Sequence, residues 1–322
     1  MSLDFIDKRL IVELVYNSRL SYQTLARHFG LTTKTVRKRV AKLIESGVIQ
    51  RFSLVLNRTA CGGDEETKFV LGHIWTDGSE QDEALIQRLG NFSSIYYVFK
   101  TTRNSYGFYA MVIGFDGLSD LMEFVQGLEG VTKVETDVLI FVMSPGYYPE
   151  LSKPHIPDVK SLTRDQWAVV HCLKDSPRMP VTEVARRIGQ SMRRVRKTIN
   201  MLIETRYIIF TTRWMTTAAG HIMAYIQTNL DLNQISREEF ANWLYDKYPF
   251  ECWDAQSVAN SPETVIQLVS ADTIHIIDEM QKTIKAAPFT KNVDALVIYK
   301  QHKFEGLGRH YLYEQLKNAG FD

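Results

Sequence analysis

Apolar positions in the first fifty residues recur at helical spacing. Ile6, Leu10, Ile11, Leu14 and Val15 mark one buried face of a helix over residues 4–17. Leu25 and Phe29 mark a shorter helix over 21–29, with Ser21 as its N-cap. Gly30 allows a tight turn. Val36, Val40, Leu43 and Ile44 then define the stripe of a third helix within residues 32–46. Thr32 or Thr33 can cap its start, and Gly47 stands where its end favours a positive φ. After Gly47 the run VIQRFSLVLN is rich in strand formers and predicts a wing or lead strand. Three helices, a glycine turn before the last and a strand make a winged helix-turn-helix over residues 1–57.

The period changes after a loop at 60–66, ACGGDEE. KFVLGHIWT, SIYYVFKTT, FYAMVIGF and KVETDVLIFVM read as strands. SEQDEALIQRLGNF, with Ala84, Leu85 and Leu89 expected inside, and LSDLMEFVQGLEG read as helices. The order β-α-β-β-α-β over 66–143 is that of a ferredoxin-like domain. Such a sheet keeps one face for helices and one for a partner sheet or a ligand. Residues 144–161 hold four of the nine prolines and read as a semi-rigid linker.

The plan then repeats. Shifted by 159 residues, SYQTLARHFGLTTKTVRKRVAKLIESGVI falls on PVTEVARRIGQSMRRVRKTINMLIETRYI, with ten of 29 positions identical, among them Gly30/Gly189, Val36/Val195, Arg37/Arg196 and Lys38/Lys197. A second winged helix-turn-helix is expected over 162–215 and a second ferredoxin-like domain over 220–300, followed by a tail at 301–322 with a short helix. The expected fold class is α+β, two copies of winged helix-turn-helix followed by a ferredoxin-like βαββαβ domain.

Charge changes the picture at the third helix of each copy. TTKTVRKRVAKLIES carries five cations before its first acid, and Arg186, Arg187, Arg193, Arg194, Arg196 and Lys197 form an acid-free run in the second copy. A lone basic helix is more often a solvated face, but the same pattern twice, each time at the reading position of a helix-turn-helix, points to DNA. The candidate contacts are Thr33, Lys34, Thr35, Arg37, Lys38, Arg39 and Arg51 in the first copy and Ser191, Arg193, Arg194, Arg196 and Lys197 in the second. Lys34, Thr35, Lys38, Arg193, Arg194 and Lys197 are expected to face the major groove; Arg37, Arg39, Arg196 and Arg51 are expected at phosphates.

Composition sets limits. The 322 residues are 45% hydrophobic and 23% charged with a net charge of +1, so the cations are concentrated rather than general. Three widely spaced cysteines, Cys61, Cys172 and Cys252, argue against a disulfide framework and for a reducing compartment. No apolar run reaches membrane-spanning length and the N-terminus lacks a signal-peptide layout, so a cytoplasmic protein without membrane attachment is expected. The eight histidines show no metal-ligand spacing, and phosphate-loop, nucleophile-elbow and zinc-protease motifs are lacking, so neither a cofactor nor a metal is expected.

The opening LDFIDKRLIVEL, the run LARHFGLTTKTVRKRVAKLIESGVI and the following ferredoxin-like order resemble the Lrp/AsnC family of transcriptional regulators, over nearly the whole chain and twice. The resemblance implies a DNA-binding regulator, not an enzyme, that assembles as a dimer through its ferredoxin-like sheets and senses a small molecule there. The usual member has one such pair of domains, so this chain is either a built-in pseudo-dimer or a protein that dimerises again. Many members carry a Gly-x-x-Asp type turn for an amino-acid effector. Here the turns read Thr102-Arg103-Asn104-Ser105-Tyr106 and Val258-Ala259-Asn260-Ser261-Pro262-Glu263, which counts against amino-acid sensing. Arg103 is a candidate for holding an anionic effector, weighed against an ordinary solvated turn arginine.

The same plan also resembles the siroheme decarboxylases, which use the sheet domains for a tetrapyrrole, often as fused or paired copies. The fused layout suits that alternative; two intact cationic recognition helices count against it. An architectural DNA-binding protein with little sequence preference is a third reading.

Overall fold

The computed structural model describes residues 3–57, 67–79, 81–103, 105–141 and 161–321. The loop expected at 60–66, Cys61, Asn104 and nearly all of the expected proline linker lie outside the described residues. The chain forms two compact units, residues 1–63, 155–219 and 308–322 in the first and 64–154 and 220–307 in the second.

The first unit contains α1 (Phe5–Tyr16), α2 (Tyr22–Phe29), α3 (Thr33–Glu45), β1 (Ile49–Leu56), α6 (Arg164–Leu173), α7 (Val181–Ile188), α8 (Met192–Glu204) and β6 (Ile208–Trp214). The tail helix α11 (Leu307–Asn318) lies almost wholly within it. The helix boundaries follow the caps. Asp4 opens α1 in a capping box with Asp7, and Thr163 opens α6 in one with Gln166. Ser21, Thr32 and Ser191 each accept the third backbone N–H of their helix, so Thr32 rather than Thr33 caps α3. Gly30 and Gly189 end α2 and α7 at φ 64° and 66°, the left-handed turn that only glycine adopts freely.

β1, expected as a wing or lead strand, takes the matching strand of the other copy as its partner. β1 and β6 form a two-stranded antiparallel sheet, with Phe52 opposite Thr212 and Ser53 opposite Thr211. Residues 52 and 211, and 53 and 212, are counterparts in the repeat, so the pairing has a local two-fold axis. The same symmetry recurs in side chains. Arg19 donates to the carbonyls of Pro177 and Met179, the latter at 3.2 Å; its counterpart Arg178 donates to those of Ser18 and Leu20, again 3.2 Å for the latter. Burial and the facing Arg178 charge pull Arg19 down to about 10. Thr211 and Thr212 hydroxyls close onto the carbonyls of Val15 and Leu14, both at 2.8 Å. The tail helix is anchored to the same unit: buried Arg309 donates to the Leu54 carbonyl at 3.3 Å, the Lys174 carbonyl at 3.0 Å and the Asp175 carboxylate at 3.2 Å.

The second unit contains β2 (Thr67–Thr76), α4 (Asp82–Gly90), β3 (Ile95–Thr101), β4 (Tyr106–Ile113), α5 (Asp116–Gln126) and β5 (Val131–Phe141), then β7 (Ile222–Leu230), α9 (Arg237–Lys247), β8 (Cys252–Val258), β9 (Ser261–Ala271), α10 (Ile274–Lys285) and β10 (Thr290–Lys303). Both halves have the βαββαβ order, and their edge strands pair with each other. β5 runs against β8 and β10 against β3, closing a barrel in the order β10-β3-β4-β2-β5-β8-β9-β7. Strand alternation sorts the side chains. Val70, Ile74, Val98, Phe108 and Ala110 face the helices with Leu85, Ile86 and Leu89. Ile86 therefore takes the inward place expected of Ala84, which is exposed, because Leu85, Ile86 and Leu89 share one face of α4. Ala224, Ile226, Val265 and Val269 pack likewise in the second half. Between the sheets lie Leu71, Tyr97, Phe99, Tyr109, Met223, Tyr225, Ile266 and Ile298. A Cβ at Gly107 would stand 2.1 Å from the Phe99 ring, so that glycine makes room for the inner aromatic layer.

One carboxyl shares this layer. Asp254 on β8 lies close enough to influence Tyr96, Tyr109 and Tyr225. Burial pushes it up to about 6, only partly opposed by the Leu268 amide and the Lys303 charge. A carboxyl of the unfolded chain ionises near about 4, so folding favours the protonated form and stability falls as pH rises from about 4 through about 6. Asp254→Asn is expected to stabilise the chain by about 2–3 kcal/mol at pH 7.5 and to change little at pH 4, read from urea melts at both pH values. Equal gains at the two pH values would remove the carboxyl from the balance.

Candidate nucleic-acid interface

Each candidate helix is set by the two before it. Val36, Val40 and Leu43 of α3 and Val195, Ile199 and Leu202 of α8 are buried, which turns the opposite faces to solvent. On α3 that face shows Lys34, Arg37, Lys38 and Lys42; on α8 it shows Arg193, Arg196, Lys197 and Asn200. Lys34, Lys38, Arg193, Arg196 and Lys197 make no ion pair with another described residue. Arg37 lies over the Tyr22 ring at 5.9 Å, and the Arg178 guanidinium stands 4.8 Å from that same ring. Thr33 and Ser191 are exposed at the helix starts, Thr35 is half-buried with its hydroxyl 2.9 Å from that of Thr32, and Arg51 is exposed on β1.

Two of the expected contacts, Arg39 and Arg194, have intramolecular duties that spacing alone did not reveal. Arg39 is half-buried and reaches Asp4 at 2.8 Å and Asp7 at 2.7 Å, tying the back of α3 to the start of α1. Burial would lower the Arg39 guanidinium, but the two carboxylates more than offset it and hold the group above its ordinary value. Arg194 pairs with Asp165 at 2.5 Å, at the start of α6. Ser191 accepts the Arg194 amide as N-cap. The acid-free run in the second copy is also answered from one turn earlier. Glu183 takes Arg186 at 2.7 Å and Arg187 at 2.6 Å, and these bonds hold its carboxyl far below the usual range. Sequence could have flagged Glu183 by its i+3 and i+4 spacing; Asp4, Asp7 and Asp165 reach their arginines only through the fold.

Arg103 pairs with Asp294 of β10 at 2.5 Å, across the β3–β10 seam. Among the described residues no group of three or more histidines, cysteines or carboxylates is arranged to hold a metal, and no helix is long and apolar enough to cross a membrane.

A cationic helix in third place of a helix-turn-helix, backed by a strand, is a design for reading duplex nucleic acid. An AsnC-type helix-turn-helix domain matches residues 3–44. An HTH-type transcriptional regulator of Pyrococcus abyssi, PYRAB04820, is 32% identical over 151 residues, covering 45% of this chain and 97% of that protein. The HTH-type transcriptional regulator FL11 of Pyrococcus furiosus is 29% identical over 145 residues, 44% of this chain and 91% of its own length. The chain belongs to the Lrp/AsnC family of HTH-type transcriptional regulators. Its fold is also similar to a solved structure of the siroheme decarboxylase NirDL in co-complex with an iron-uroporphyrin III analogue. That likeness has a TM-score of 0.57 at 13% identity and covers 97% of this chain and 99% of that one.

Arg39 and Lys38 are neighbours with opposite expected roles. Arg39→Ala leaves the buried Asp7 without its guanidinium and is expected to cost about 1–3 kcal/mol of stability. Lys38→Ala is expected to leave stability within about 0.5 kcal/mol. Denaturant melts of the two variants check this, and equal stabilities would contradict it.

Proposed function

We propose that the chain is a sequence-specific DNA-binding transcriptional regulator with two readers, α3 and α8. The observation that carries this reading is the pairing of β1 with β6, which fixes two solvent-facing cationic helices about one local axis. We read the chain as a tandem duplicate whose copies, each a winged helix-turn-helix and a ferredoxin-like domain, serve as the two subunits of a family dimer. The relatives of half its length support this. The barrel pairs the edge strands of the two halves with each other, β10 with β3 and β5 with β8. In this reading Lys34, Lys38, Arg193 and Lys197 meet base edges and Arg37, Arg196 and Arg51 meet phosphates, while Arg39 belongs to the framework. An effector is not required by this reading, and Arg103 is engaged by Asp294. A cytoplasmic location follows from the role.

A second reading, tetrapyrrole decarboxylation, is favoured by the end-to-end likeness to NirDL. The solvent-facing cations of α3 and α8 argue for DNA, since a tetrapyrrole carboxylate site of that kind belongs on the sheets. A Soret-type band on mixing the protein with siroheme is the outcome that would support the enzyme.

Binding to the chain's own upstream DNA and to random duplex, in rising salt, tests the proposal. A preference above roughly a thousandfold that survives physiological salt is expected. Arg37→Ala and Arg196→Ala should each weaken binding to both DNAs and flatten the salt slope by about one unit. No binding at low salt would overturn the reading.

A further inference from the structure

We propose that Met192 reads the 5-methyl group of a thymine in the half-site met by α8. The inference rests on the DNA-reading function proposed above and deepens it. Met192 is the first residue of α8, and the first turn of a recognition helix is the part that comes closest to base edges. Its side chain is 51% exposed. That is an unusual place for a large apolar group, because its neighbours Arg193, Arg196 and Lys197 are all exposed cations.

The surroundings narrow what the group is for. At about 100° per residue, Arg193 and Lys197 lie near the centre of the outward face and Met192 at its edge, at the helix tip. Arg194, on the other flank, is held by Asp165. The second reader therefore presents a thioether chain beside two fork-shaped cations, Arg193 and Arg196, and one point cation, Lys197; of the two forks Arg193 is the one read above as meeting base edges. In the major groove only thymine displays a methyl group, and guanine displays the acceptor pair that an arginine fork matches. A thymine adjoining a guanine is the base step that fits Met192 and Arg193. The first copy has Thr33 in place of Met192 and Lys34 in place of Arg193, so the two half-sites should differ at this step.

The test begins by selecting the preferred site from random duplex with the full chain. Failure to enrich any site would overturn the DNA-reading function itself, a result distinct from failure of the present inference. In the enriched site each thymine is replaced singly by deoxyuridine, which removes the 5-methyl group and nothing else. Wild type should lose about fourfold in affinity at one thymine of one half-site, the size expected for hiding one methyl group from water. Met192→Ala should show no loss at that position while keeping the losses elsewhere, and Met192→Leu should restore the sensitivity. Because the side chain is exposed, both variants should melt with the wild type, which separates reading from folding. A uridine profile unchanged by Met192→Ala, or an α8 half-site without thymine, would overturn the assignment.

Discussion

A strand edge left open is a row of unpaired N–H and C=O groups, and it must be paired or covered. In this chain the two halves pair their edge strands with each other. In the first unit β1 and β6 pair about a local two-fold axis, and Arg19 and Arg178 reach across it to each other's loop carbonyls. In the second unit β5 joins β8 and β10 joins β3, so two four-stranded sheets become one barrel. A βαββαβ half alone would expose an aromatic inner face of Tyr97, Phe99 and Tyr109; the second half covers it with Met223, Tyr225 and Ile266. Both faces of this inner layer are supplied within one polypeptide. The relative orientation of α3 and α8 is then a property of a covalent fold and does not depend on protein concentration.

Most local structure was legible in the sequence because it is written in local chemistry. The helix start at Ser21, the glycine turns at Gly30 and its repeat counterpart Gly189, and the alternation of the strands all appear where the residue pattern put them. Long-range pairing was not legible. Nothing local in Ile49–Leu56 says that its partner is Ile208–Trp214, since both read as amphipathic strands of any wing. The site behaved the same way. Exposure of Lys34, Lys38, Arg193 and Lys197 follows from the helical period. The engagement of Arg39 by Asp4 and Asp7, and of Arg194 by Asp165, depends on which helices meet, and charge counting along the chain is blind to it.

Symmetry and its breaking have different consequences. The pairing of β1 with β6 is two-fold, whereas the cationic helices carry Thr33-Lys34-Thr35 in α3 and Met192-Arg193-Arg194 in α8. A homodimer cannot make that distinction, because both its recognition helices are the same. The tail helix adds a further difference: Arg309 pins it to Leu54, Lys174 and Asp175, with no counterpart from the first copy among the described residues. On the proposed function, one chain would suit an operator with unlike halves at a fixed separation.

The most direct test of this account is a hydroxyl-radical footprint combined with the stoichiometry of the complex on the selected site. One chain per site is expected, protecting two unlike half-sites roughly ten base pairs apart or a multiple of that, on one face of the duplex. Protection of a single half-site, or of two identical half-sites by two chains, would contradict the claim that α3 and α8 read DNA together.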